Sequence, residues 1–175
     1  MKLKKIESIC KSSKQIIAKR DNDGLLWLGN SSASYLYGGL SYIEKDPLFI
    51  MFDIQKDKRE SFYYSDAHEF DVPDVFKGEE FVERRSCFSI QHHGANFEPI
   101  FYSKGCLFIN TKYFEPLDDE EDYGIYIRSK ELKDGIVADH VVIKRGLIPI
   151  ATIAPTVFSS EQLKEEIYKV YKSLG

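Results

Sequence analysis

The spacing of apolar residues separates a helical beginning of the chain from a long series of strands. Residues 2–11 carry apolar side chains three and four positions apart, which predicts a short amphipathic helix. After it, KQIIAKR and LLWLG flank the turn Asp21-Asn22-Asp23-Gly24 and predict a β-hairpin, because Gly24 can adopt a positive φ without a steric clash. ASYLYGG is the next predicted strand.

Asp46-Pro47 predicts the start of a second helix, because Asp caps free backbone donors and Pro costs no internal hydrogen bond there. The run LFIMFDI then forms about two helical turns. A core strand is the alternative, since periodicity does not separate the two in so short a run. SFYYS is a further strand candidate, and residues 66–85 lack a regular period and are predicted as a linker or long loop.

Short strands separated by turns dominate from Ser86 onwards. CFSIQHH, FEPIFYS and CLFIN, with turns at 94–96 and 104–105, predict an antiparallel meander. YGIYIR, GIVADHVVIK and LIPIATIA are rich in residues that favour strands, and Pro149 predicts an edge strand or a bulge. Within LFINTKYFEPL, Asn110 is suited to cap a short helix that docks its aromatic residues on the sheet.

The last segment, SSEQLKEEIYKVYKSLG, is predicted as an amphipathic helix in which Ser159 and Gln162 resemble a capping box. The pattern as a whole predicts an α+β fold, with a mostly antiparallel sheet and amphipathic helices near both ends. It divides into an N-terminal α+β subdomain at residues 1–65 and a C-terminal sheet with its helix at residues 86–175. One compact domain is the alternative.

Composition narrows the class of protein. The chain has 175 residues, of which 43% are hydrophobic and 30% charged, so it can bury a sizeable core. No apolar stretch approaches the roughly 20 residues that cross a bilayer, and we expect neither a membrane anchor nor a signal peptide. Three widely spaced cysteines, Cys10, Cys87 and Cys106, favour reduced thiols and a cytoplasmic location.

No motif predicts a catalytic residue, a cofactor or a metal site. Asp139 and His140 are adjacent, and neighbouring strand residues face opposite ways, so they cannot form a catalytic dyad. The acidic run at 118–122 lacks the oxygen pattern of an EF-hand loop. An enzyme that uses Cys87, His92 or His140 is the weakest alternative. Four possible zinc ligands lie on neighbouring predicted strands without zinc-site spacing: Cys87, His92, His93 and Cys106.

Lysines near the first and last predicted helices are candidates for contacts with DNA phosphates. The net charge of −4 argues against binding by the whole surface, but one face of an acidic protein can be basic. Ordinary solvated helix faces are the alternative. The candidates are Lys2, Lys4, Lys5, Lys11, Lys14, Lys164, Lys169 and Lys172.

Two resemblances add to this interpretation. The whole chain resembles uncharacterised phage and prophage proteins of Gram-positive bacteria in MKLKKIES, LGNSSASYLYGGL and FIMFDI. Residues 106–157 resemble the closing part of a bacterial DNA polymerase sliding-clamp domain, from the segment INTKYFEPL to the final strand IATIAPTV. In that family the first segment begins an inner helix, which maps to Asn110, Tyr113 and Phe114, with Phe replacing the usual Leu. The closing strand helps to form a pocket for partner peptides, which maps to Ile153, Ala154, Pro155 and Val157.

The resemblances imply a non-enzymatic, phage-derived accessory protein that is clamp-like and associates with DNA or replication proteins. It would act by binding partner proteins and by assembling with further copies of itself into homo-oligomers. Two departures stand against the clamp: the chain continues into a helix after the Pro, and it is short for a ring subunit. The alternative is a phage protein-interaction or assembly component that does not bind DNA.

Overall fold

A computed structural model describes residues 1–38, 43–67, 72–83, 89–117, 122–131, 135–158, 165 and 167–169. The α-helices whose bounds lie within these residues are α1 (Leu3–Ser13) and α2 (Lys45–Met51), and 3-10 helices span Lys56–Ser61 and Thr111–Tyr113. The strands of these residues are β1 (Gln15–Arg20), β2 (Leu26–Gly29), β3 (Ala33–Leu36), β4 (Tyr63–Ala67), β5 (Glu80–Val82), β6 (Ile90–His92), β7 (Ala95–Tyr102), β8 (Gly105–Asn110), β9 (Gly124–Glu131), β10 (Val137–Arg145) and β11 (Ile148–Ile153).

Eight of these strands form one large sheet, in the order β4-β1-β2-β3-β11-β10-β9-β5. Its pairs are antiparallel except for β1 with β4, which run parallel. The fold is therefore α+β with a mostly antiparallel sheet, as the sequence predicts. β3 and β11 are neighbours, so residues 1–65 and 86–175 contribute strands to the same sheet.

The local predictions for the first third of the chain are confirmed. α1 buries Ile6, Ile9 and Cys10, which is the apolar face that the spacing predicts. β1 and β2 form the expected hairpin, and Gly24 has a φ of +76° in its turn. β3 follows as the predicted third strand of the same sheet.

The second helix exists, but its start differs from the prediction. Glu44 precedes the first helical residue, Lys45, so Asp46 lies inside the first turn and does not cap the helix. The Asp46 carboxylate instead accepts a hydrogen bond from Arg59 at 3.3 Å. Of the run LFIMFDI, residues 48–51 are helical and residues 52–54 follow the helix, so the predicted helix is shorter than expected and the alternative of a core strand is wrong. Leu48 and Phe49 are buried in the helix.

Residues 66–85 are not simply a linker, since β5 lies within them and pairs with β9. Residues before β5 cover the large sheet on the face opposite the main core, where Arg128 and Lys144 are buried. Both cations form ion pairs with Glu79. Arg128 also donates to the Pro73 carbonyl at 2.7 Å, and Lys144 to the Asp74 carbonyl at 2.6 Å. These bonds attach the segment to the sheet, although they connect residues far apart in sequence.

β6, β7 and β8 form a second sheet of three strands, whose two faces belong to different cores. Ile100 and Ile109 join the main core, together with residues from α1, α2 and the large sheet. Phe97, Phe101 and Phe108 lie in a smaller cluster with Phe158 and Ile167. The turn between β6 and β7 is at His93-Gly94, one residue earlier than predicted, because Ala95 already pairs with His92.

The segment after β8 folds as the sequence predicts. The Asn110 side-chain oxygen accepts a hydrogen bond from the Lys112 backbone N–H at 3.1 Å and caps the 3-10 helix. Tyr113 and Phe114 are buried, and the Tyr35 hydroxyl donates to the Tyr113 carbonyl at 2.8 Å. This hydrogen bond connects the short helix to a strand of the large sheet.

β11 has a bulge next to Pro149, which pairs with Lys144. The sequence predicts either an edge strand or a bulge at this proline, and the bulge is confirmed, because β11 is an inner strand of the sheet. The chain leaves the sheet after Ile153 and reaches β8, where the Thr156 N–H donates to the Phe108 carbonyl at 2.8 Å. Glu165 and residues 167–169 are helical, and the remainder of the predicted terminal helix lies outside the described residues. No helix of the described part is long and apolar enough to cross a membrane.

Candidate partner-binding cavity

A cavity bordered by described residues has a volume of about 820 Å³. It lies between the turn of the β7–β8 hairpin, the first half of β10, the segment that follows β11, and the helical residues near the C-terminus. Its volume falls within the range of cavities that bind small molecules or peptide segments. We call it the β8–β10 cavity.

Two strands border the β8–β10 cavity with their edges. Residues 136–140, at the start of β10, all line it, and so do residues 105–107 of β8. Successive side chains of a strand point to opposite faces, so consecutive lining residues indicate that the strand edge, rather than one face, adjoins the cavity. Backbone groups as well as side chains are therefore accessible from inside it.

Exposed apolar side chains contribute much of the lining. Ile136 is 60% exposed and Val157 is 83% exposed, and Val137 beside Ile136 is also exposed. They lie with Leu107 and Pro155 around the same space. Large apolar side chains that cluster at a concave surface are typical of binding sites.

A carboxylate with two hydroxyl partners lies in the wall. The Tyr102 hydroxyl donates to Asp139 Oδ2 at 2.6 Å, and the Ser129 hydroxyl donates to Asp139 Oδ1 at 2.5 Å. Ser129 is the cross-strand neighbour of Asp139 on β9, and its Oγ accepts from Lys104 Nζ at 3.0 Å. The strand register and the hairpin turn thus bring these groups together.

These contacts keep Asp139 ionised. Burial by itself would raise the pKa of the Asp139 carboxyl, but hydrogen bonds from Ser129 and Tyr102 and the charge of Lys104 lower the pKa below its usual 3.8. Burial and the same carboxylate raise the pKa of the Tyr102 hydroxyl, which stays protonated. The wall therefore carries a negative charge at neutral pH.

His140 also lines the cavity, and it is uncharged at neutral pH. Burial, followed by the positive charges of Arg128 and Lys130, lowers the pKa of His140 below its usual 6.5. The Asp139 charge and a hydrogen bond with the Ala138 backbone act in the opposite direction but do not outweigh these effects. His140 therefore supplies a hydrogen-bonding group without a charge.

The structure places the predicted partner-binding residues at this cavity, with one exception. Ala154, Pro155 and Val157 line it, whereas Ile153 is fully buried in β11 and faces the main core. Sequence reasoning missed Tyr102 and Ile136, since they join the site only through the pairing of distant strands. It did consider Asp139 and His140, but only to exclude them as a catalytic dyad.

The candidate DNA-binding lysines do not form one uniform surface in the described residues. Lys5 pairs with Glu115 at 2.7 Å, and Lys11 pairs with Glu7 at 2.6 Å. Three others at or near α1 have exposed side chains: Lys2, Lys4 and Lys14. Lys169 is exposed on the terminal helical residues, which pack on the smaller cluster, and Lys164 and Lys172 lie outside the described residues.

Two of the possible nucleophiles and metal ligands, Cys106 and His140, line the β8–β10 cavity, whereas Cys10, His92 and His93 do not. Burial raises the pKa of the Cys10 thiol to about 12, which leaves it unreactive at neutral pH. His92 stacks against His93 and Phe158 on β6, away from His140 on β10, and Cys87 lies outside the described residues. The described residues contain no cluster of His, Cys, Asp and Glu that could hold a metal ion.

No protein-family model, curated protein or solved structure matches this chain. The function of the β8–β10 cavity therefore has to be inferred from its own shape, charges and hydrogen-bonding groups.

Proposed function

We propose that this protein is a non-enzymatic accessory protein that binds a peptide segment of another protein in the β8–β10 cavity. The observation that carries the proposal is the lining: exposed Ile136 and Val157 beside an ionised Asp139, in a cavity of about 820 Å³. Apolar side chains supply binding energy by leaving water, and a few polar groups fix orientation. The free thiols of Cys10 and Cys106 favour action in a reducing compartment such as the cytoplasm.

The resemblances agree with this proposal without being needed for it. Ala154, Pro155 and Val157, which map to the partner-peptide pocket of sliding clamps, line the same cavity. A phage-derived accessory factor of replication or assembly is the class of protein that both resemblances favour. Peptide binding would be its way of joining a larger complex.

Peptide binding can be tested by selecting binders from a library of random linear peptides and measuring their affinity by fluorescence anisotropy. Val157→Asp should weaken binding by about tenfold or more, because a charge would replace an apolar contact in the cavity. Val75→Asp is the matched control, since Val75 is 76% exposed but does not line the cavity. Equal affinities of the two variants, or failure to select any peptide, would contradict the proposal.

DNA contact is a second candidate function, favoured by the exposed side chains of Lys2, Lys4 and Lys14 at and near α1. Here the protein would hold duplex DNA through phosphates, as a clamp-like factor does. The affinity would fall with salt, and Lys4→Glu with Lys14→Glu should reduce the salt slope by about 0.9 for each lost phosphate contact. Lys56→Glu, on the first 3-10 helix, is the control. Absence of DNA retention at low salt would remove this candidate.

A further inference from the structure

The two strand edges that border the β8–β10 cavity define how a partner could bind there. We infer that the partner segment adds as an extended β-strand alongside the first half of β10 and carries a basic side chain to Asp139. This inference rests on the proposed function, because both place a peptide in the same cavity. It goes further by naming the binding mode and the chemistry of the peptide.

The first half of β10 is paired on one side only among the described residues. β10 pairs with β9 from Val137 to Lys144, whereas its pairing with β11 begins at Val141. Residues 137–140 therefore have no described strand on the side that β11 occupies farther along. Alternate residues of a strand direct their N–H and C=O groups to the same side, so some of these groups point to the cavity.

One backbone group of this half-strand already has a partner within β10. The Ala138 backbone forms a hydrogen bond with the His140 side chain, two residues away. An added strand would supply backbone partners in its place, and backbone donors and acceptors are nearly always paired when buried.

β8 provides the second edge. It is the last strand of the small sheet, and on its outer side the described residues make one isolated bridge, between Phe108 and Thr156. Residues 105–107 continue along the cavity beyond that bridge. An extended segment alongside either edge would have backbone partners available on that side. A helix satisfies its own backbone groups and would leave both edges unpaired.

Charge favours a basic side chain in the bound segment. Asp139 is ionised, and Glu165 adds a second carboxylate to the lining. Lys104 is the only lysine in the described lining, and its ammonium already donates to Ser129. Because His140 is uncharged at neutral pH, the carboxylates outnumber the cations among the described lining residues. A Lys or Arg of the peptide, flanked by apolar residues that contact Ile136 and Val157, matches this lining.

The binding mode can be tested on a peptide from the library selection by methylating its backbone nitrogens one at a time. N-methylation removes one donor, so an added strand predicts a loss of about tenfold or more at alternate positions and little loss between them. The protein is unchanged in this experiment, so a variant that fails to fold cannot explain the result.

Asp139→Asn should weaken binding of a Lys- or Arg-containing peptide by about tenfold. Asp57→Asn, on an exposed 3-10 helix, should not weaken it.

The outcomes separate the inference from the proposed function. Alternating losses together with the Asp139→Asn effect support strand addition. Selected peptides that are sensitive to Val157→Asp but show no alternation overturn strand addition and leave the proposed function standing. Failure to select any peptide overturns both. A dimer of this chain that Val157→Asp dissociates would show that the occupant is a second copy, which also overturns the inference.

Discussion

Glu79 and Asp139 are two partly buried carboxylates with lowered pKa values, but their partners differ. Glu79 lies between two buried cations, Arg128 and Lys144, whose side chains are only 2% and 3% exposed. Asp139 accepts hydrogen bonds from two hydroxyls and borders an open cavity. The Glu79 carboxylate pairs with two buried cations, whereas the Asp139 carboxylate is bonded to two uncharged hydroxyls.

This difference separates a structural ion cluster from the group that we propose to bind a partner. The Glu79 cluster attaches the segment before β5 to the large sheet, and carbonyls of Pro73 and Asp74 complete its hydrogen bonds. Removing a partner from such a cluster leaves an uncompensated buried charge. Removing the Asp139 carboxylate leaves the hydroxyls of Tyr102 and Ser129, which can rotate or form hydrogen bonds with water. Its loss should therefore affect binding more than folding.

The largest expected effect comes from Glu79→Gln. This substitution should reduce the free energy of unfolding by about 3–5 kcal/mol, because Arg128 and Lys144 lose their shared carboxylate while they stay buried. Urea denaturation at neutral pH measures the change. Glu115→Gln is the control, since its pair with Lys5 is about half exposed and should contribute less than about 1 kcal/mol. Equal losses for the two variants would contradict a structural role of the Glu79 cluster.

Acid should remove the stabilisation that Glu79 contributes to the folded protein. Burial opposes ionisation of Glu79, but hydrogen bonds and charges from Lys144 and Arg128 lower its pKa below the usual 4.5. The folded protein then binds protons more weakly than the unfolded chain, so this stabilisation is complete above pH 4.5 and is lost as the pH falls through the folded pKa. Stability measured against pH should therefore decline less steeply below pH 4.5 in Glu79→Gln than in the wild type. Parallel curves would contradict this assignment.

Several local features could be predicted from the sequence, because short-range chemistry determines them. The apolar spacing of α1, the Gly24 turn and the Asn110 cap all depend on neighbours within a few residues. Their structures agree with those predictions. The exception is the start of α2, where Asp46 pairs with Arg59 instead of capping the helix.

Features that depend on distant residues could not be predicted in this way. The parallel pair of β1 and β4 and the neighbouring pair of β3 and β11 join segments that no local pattern connects. Arg128 and Glu79 are 49 residues apart, so their ion pair follows from the sheet order. The β8–β10 cavity likewise exists because β11 stops pairing at Ile153 while β10 begins earlier. Composition and spacing carry no signal for such an arrangement.

A smaller effect is expected when one hydroxyl partner of Asp139 is removed. Tyr102→Phe deletes the donor at 2.6 Å, so the pKa of Asp139 should move up towards its usual 3.8. The free energy of unfolding should fall by about 1 kcal/mol. Carboxyl carbon NMR shifts followed against pH measure the pKa, and Tyr63→Phe, at an exposed position of β4, is the matched control. An unchanged Asp139 pKa would show that the hydroxyl does not stabilise the carboxylate.

The central claim is that the first half of β10 offers an open edge to a partner strand, and amide hydrogen exchange measured by NMR tests it most directly. In the free protein, the cavity-facing amides of residues 137–140 should exchange much faster than those of Val141 to Ile143, which lie between two strands. Saturation with a selected peptide should protect those same amides. Slow exchange along the whole of β10 in the free protein, or no added protection with the peptide, would contradict the account.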